Sequence, residues 1–131
     1  NLNREGRSGN GGFYDYPENK KKHIWRNLEN YFPVSANEIP EKDIIDRLLF
    51  TQIIEAISCY EKNIITSAKD ANTGSILGLG FPRNSGGILQ FVNSYGVLKF
   101  RERSLQLTRR YGKRFTPPKL LNEMAKTKKV F

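Results

Sequence analysis

The chain has 131 residues, 37% hydrophobic and 27% charged, with a formal net charge of +9. That length buries one modest core, and no apolar run approaches the roughly 20 residues a membrane helix needs. The single Cys59 and the single His23 exclude an internal disulfide and a cysteine- or histidine-based zinc cluster, so no metal is expected.

The chain opens at Asn1 without Met and without a charged-then-apolar leader, so it reads as an excised piece with no signal peptide. Residues 1–98 hold 11 Lys/Arg and 11 Asp/Glu, whereas residues 99–131 hold 11 against 2. The whole positive excess therefore sits in the last quarter. Such a surface attracts phosphates of any kind, and a solvated basic face gives the same count. No helix-turn-helix, RNP-type or zinc-finger spacing accompanies it, which argues against sequence-specific nucleic-acid reading.

In chain order, residues 1–22 are polar and glycine-containing, with Phe13, Tyr14 and Tyr16 too apolar for a free linker. An extended tether docked through these rings is expected. From Pro40, Ile44, Ile45, Leu48, Leu49, Ile53, Ile54, Ile57 and Tyr60 recur at spacings of three and four. This predicts a long helix, about 40–62, with one wide apolar face. Pro40 suits its first turn, and Glu41 and Asp43 suit the dipole there. Asp43 and Asp46, like Glu55 and Glu61, read as helix-surface acids. Cys59 reads as a small core residue and His23 as a neutral surface residue.

Thr66 and Ser67 with Asp70 signal a second helix start, carrying Ala71, Ile76 and Leu77 and stopping at Gly78–Gly80. A further short helix follows through Ile88, Leu89, Phe91 and Val92 to Gly96. The next runs from Val97 to Tyr111, and Gly112 ends it. Thr116 as N-cap and Pro117 at the first position open the last helix, with Leu120, Leu121 and Met124 as its apolar face. Strand signals are almost absent. The expected fold is all-α, with about five helices.

The stretch GLGFPRNSGG, residues 78–87, raises the question of a nucleotide site. A dinucleotide fingerprint needs G-x-G-x-x-G between a strand and a helix. Here Arg83 stands at the third glycine position and a helix precedes the loop. No Gly-Lys-Ser/Thr of a P-loop is present either. The loop reads as a helix corner instead: Gly78 and Gly80 permit left-handed backbone, Phe81 plugs the core, and Pro82 turns outward. Gly86 and Gly87 let the next helix approach closely.

The segments GGFYDYPE, DIIDRLLFTQIIEAISCYEKN, KDANTGSILGLGFPRNSGGILQFVNSYG and YGKRFTPPKLLNEMA resemble the C-terminal all-α domain of 3-hydroxyacyl-CoA dehydrogenases. The second copy of that domain, in multifunctional α subunits that join an enoyl-CoA hydratase to the dehydrogenase, matches best. The resemblance spans about residues 11–125 and implies a fold like the 6-phosphogluconate dehydrogenase C-terminal domain. It implies an inter-repeat junction over residues 1–34 and the helical repeat over 35–131.

The resemblance also implies a parent enzyme of fatty-acid β-oxidation that oxidises a 3-hydroxyacyl-CoA thioester with NAD, through a His–Glu pair in a Rossmann domain. No catalytic residue and no cofactor fall within this chain. Asp46 occupies the position of an Asn that orients the substrate and the catalytic His in the first copy. An ionised Asp cannot donate the amide hydrogen bond that Asn can, so a structural repeat is expected, packed on the first copy and supporting the acyl-CoA cleft. Arg83, Arg109, Arg110, Lys113 and Arg114 are candidate contacts for CoA phosphates or a partner. Partners implied are the Rossmann domain and first repeat, a thiolase subunit, and a second copy of the fragment through its uncovered apolar face. A cytoplasmic, bacterial-type setting is expected ahead of a mitochondrial one, and the chain does not end in a peroxisomal tripeptide. The competing reading is a basic helical module binding nucleic acid or anionic membrane.

Overall fold

The structure, a computed structural model, describes residues 2–9, 11–35 and 38–131. It divides into two compact units, residues 1–38 and 39–131.

The first unit is built around an arginine. Two short strands, β1 (Tyr14–Asp15) and β2 (His23–Ile24), pair antiparallel with Tyr14 opposite Ile24 and Asp15 opposite His23. A single helical turn, α1 (Leu28–Tyr31), follows and buries none of its residues. The Arg4 guanidinium lies 4.2 Å over the Trp25 ring. Its Nε donates to the Gly12 carbonyl at 2.9 Å and its Nη2 meets Asp15 Oδ1 at 2.5 Å. Gly11 sits at φ +89°, and a Cβ there would stand 2.7 Å from Arg4 Nη2. The expected extended tether is thus a folded motif, because Arg4 satisfies loop carbonyls and a carboxylate at once. Phe13 and Phe32 contact edge to face at 5.6 Å and remain 62% and 54% exposed.

The second unit is a five-helix bundle, in keeping with the all-α expectation. Its helices are α2 (Glu41–Glu61), α3 (Ala68–Leu79), α4 (Ile88–Tyr95), α5 (Val97–Tyr111) and α6 (Lys119–Thr127). The long α2 packs against α4, α5 and α6. Phe50, Ile53, Ile57, Leu89, Val92, Phe100, Leu107, Phe115 and Leu121 form its core, with Phe50 stacked on Phe100 at 4.0 Å. Burial of such apolar surface supplies most of the folding free energy.

The start and stop signals shift by about a residue. Pro40 is the N-cap of α2 rather than a first-turn residue, and Pro118, not Thr116, precedes α6. Ser67 caps α3 as expected, its Oγ accepting from the Asp70 amide at 3.3 Å. Gly78 does not break α3, which runs on to Leu79. Only Gly80, at φ +69°, turns left-handed and ends it. A Cβ at Gly78 would meet nothing within 4 Å, so no packing constraint halts the helix there.

The wide apolar face expected for α2 is corrected in its N-terminal half. Ile44, Ile45 and Leu48 are 45%, 49% and 66% exposed, while Asp43 and Asp46 are buried. The buried stripe is Asp43, Asp46, Phe50, Ile53 and Ile57, at spacings of three and four. Among the described residues no helix is long and apolar enough to cross a membrane.

Candidate functional site

Buried carboxylates require partners, and α5 delivers them. Arg103 Nη2 donates to Asp43 Oδ1 at 2.5 Å, and its Nε donates to Asp46 Oδ2 at 2.6 Å. One guanidinium fork therefore clamps two acids a helical turn apart on α2. Asp43 Oδ2 also accepts from the Tyr111 hydroxyl at 2.5 Å and pairs with Arg110 Nη1 at 2.8 Å. Lys42 Nζ closes the cluster on Asp46 Oδ2 at 2.8 Å.

Asp43 and Asp46 are therefore not helix-surface acids. Their spacing places them on the core stripe, and Arg103 and Tyr111 from α5 supply the hydrogen bonds that burial demands. The Tyr111 hydroxyl first, and the Arg103 guanidinium next, hold the Asp43 carboxyl below its ordinary 3.8. The same bond to Asp43, reinforced by burial, raises the Tyr111 phenol above its ordinary 10.0. A hydrogen bond to Asp46 likewise raises the Lys42 ammonium.

Asp46 thus spends Oδ2 on Arg103 and Lys42. Arg110 joins the same cluster through Asp43. Arg109, Lys113 and Arg114 are exposed around the end of α5 and the 3-10 turn Lys113–Phe115 that follows. Arg83 stands exposed on the α3–α4 corner, a different part of the bundle.

Four participants were not anticipated: Arg103, Tyr111, Lys42 and Arg47, whose guanidinium lies 4.7 Å over the Tyr111 ring. A signal for two of them was present. Arg103, Leu107 and Tyr111 recur every four residues along α5, the pattern of a helix face turned toward a partner.

The glycine corner has a different economy. Asn72 Oδ1, from α3, accepts from the Leu89 and Gln90 amides at 2.8 and 3.0 Å, and Ser75 Oγ accepts from the Ile88 amide at 3.1 Å. The first-turn N–H groups of α4, the ones that would cradle a phosphate, are already bonded. Gly87, at φ +112°, makes this approach possible, since a Cβ there would lie 2.4 Å from Asn72 Cβ. Phe81 plugs the corner at 2% exposure, as its position implied.

In the first unit, an apolar cleft of about 500 Å³ is lined by Leu2, Phe13, Tyr16, Trp25, Leu28 and Phe32, with Arg4 beside it.

Fold and site together define a helical domain locked by a buried acid–arginine cluster, with a small aromatic unit preceding it. No family model matches the chain. It is 35% identical over 116 residues to the fatty acid oxidation complex subunit alpha of Vibrio cholerae, covering 88% of this chain and 16% of that protein. The subunit of the same name from Vibrio vulnificus is 31% identical over 118 residues, covering 89% of this chain and 17% of that protein. That of Idiomarina loihiensis is 32% identical over 123 residues, covering 92% and 17% respectively. The chain is a relative of fatty acid oxidation complex α subunits and corresponds to one portion of them. It spans 16–17% of the length of these three relatives.

Proposed function

We propose that the chain is the second C-terminal helical repeat of a β-oxidation enzyme that oxidises 3-hydroxyacyl-CoA with NAD. In this reading it packs on the first repeat and supports the acyl-CoA cleft without supplying catalytic groups. The observation that carries the reading is the state of Asp46, whose Oδ2 is taken by Arg103 and Lys42. An oxygen held by two cations inside a helix interface braces helices; it does not orient a substrate. The names of the relatives supply the metabolic setting, and a cytoplasmic location goes with it. The exposed apolar side chains of both units are the surfaces for neighbouring domains, and the basic end of α5 is available to CoA phosphates or a thiolase subunit.

The test uses two preparations. The 131-residue chain alone should form no NADH from a 3-hydroxyacyl-CoA. A complete parent enzyme carrying Asp46→Asn should keep its turnover while losing thermal stability. NADH formation by the isolated chain, or loss of parent turnover at unchanged stability, would contradict the proposal.

A further inference from the structure

Where α6 ends, the chain turns back to meet α2 and α4. Lys128 takes up a left-handed backbone at φ +56°, and the Lys129 amide donates to the Met124 carbonyl at 3.1 Å. Lys128, Lys129 and Val130 are exposed, whereas Phe131 is half-buried and packs against the core. A single side chain reads the Phe131 backbone at two points. Asn93 Oδ1, on α4, accepts from the Phe131 N–H at 2.9 Å, and Asn93 Nδ2 donates to the Phe131 main-chain oxygen at 3.2 Å. The Phe131 ring meets the Tyr60 ring of α2 edge to face, with centroids 5.9 Å apart.

The Asn93 amide is itself held in position. Its Nδ2 also donates to Gln90 Oε1 at 3.2 Å, one turn back on α4, which fixes the direction in which the amide faces. Asn93 therefore presents an acceptor and a donor to a peptide backbone, and Tyr60 presents a ring face to a side chain. Main-chain bonds supply affinity in such an arrangement and the side-chain contact supplies selection, here for an aromatic ring. The three residues between α6 and Phe131 stay in water, so the anchor can release while the helix remains folded.

We propose that Asn93 and Tyr60 form a docking slot for an aromatic residue carried on a short non-helical segment. Phe131 fills this slot as a releasable strap, which a like segment offered in trans displaces. The slot shares no residue with the Asp43–Asp46 cluster and stands apart from the reading above.

Phe131→Ala in the 131-residue chain empties the slot, and an acetylated, amidated Lys-Lys-Val-Phe peptide is the probe, followed by NMR. Titration should give saturable shifts at the Asn93 side-chain amide and the Tyr60 ring. The unaltered chain should bind the peptide at least about tenfold more weakly, because its tethered Phe131 competes at high effective concentration. A Lys-Lys-Val-Ala peptide should not bind, and adding Asn93→Ala to Phe131→Ala should abolish binding. No binding, equal binding by the two chains, equal binding of the alanine peptide, or binding that survives Asn93→Ala overturns the proposal. Hydrogen exchange on the unaltered chain tests release without any substitution. The Phe131 N–H should exchange at least about a hundredfold faster than the Ile53 and Leu107 amides of the core. Protection equal to theirs would make the tail part of the cooperative fold and overturn the strap.

Discussion

Two corners of the bundle hold helices together by opposite means. At the α3–α4 corner, neutral side chains of Asn72 and Ser75 cap the amides of α4, and Gly87 lets the backbones touch. At the α2–α5 corner, ionised side chains bridge helices far apart in the chain. The first corner depends on shape and the second on charge. Shape fails abruptly when one atom is added; charge fails when a partner is removed or protonated.

The largest effect should come from adding that atom. Gly87→Ala combines a left-handed backbone with overlap against Asn72 Cα and Cβ at 2.5 and 2.4 Å. A loss of at least about 4 kcal/mol, read by urea unfolding, is expected. Second comes Arg103→Met, which takes the shared guanidinium from both buried carboxylates, leaving Asp43 to Tyr111 and Arg110 and Asp46 to Lys42, and should cost about 3 kcal/mol in the same assay. Asn72→Ala removes two amide bonds from the first turn of α4, with a cost of about 2 kcal/mol.

The smallest effect separates the corners by pH. Asp43 is held below 3.8 in the folded chain, so the unfolded chain takes up its proton first as pH falls. The stabilisation is complete above that ordinary value and is lost as pH drops through the native one. Tyr111, raised above 10.0, acts at the other limb, where stability falls as pH rises through its native value. Asp43→Asn should flatten the acid limb of the stability profile, whereas Asn72→Ala should lower the whole profile without changing its slope.

What could be read in the sequence follows the same division. The Ser67 cap, the left-handed Gly80, the Phe81 plug and the close approach at Gly87 were legible because each is set by its local stretch. Burial of Asp43 and Asp46 was not, because their partners stand 57 to 68 residues away. Apolar periodicity on α2 is ambiguous in its first turns, where Ile44, Ile45 and Leu48 compete with the two acids for the inward face. Only the neighbouring helix decides the contest, by bringing Arg103 and Tyr111. In residues 1–22 the aromatic residues stood out, but the organising role of Arg4 depends on Asp15, Gly12 and Trp25 closing around it.

The most direct measurement is a double-mutant cycle between Asp46→Asn and Arg103→Met, read by equilibrium unfolding of the 131-residue chain. If Asp46 works as a strut between α2 and α5, the two losses should fall short of additivity by about 1–2 kcal/mol. Losses that add to within about 0.5 kcal/mol would show that the two side chains stabilise the bundle independently, and would contradict a strut from Asp46 to Arg103.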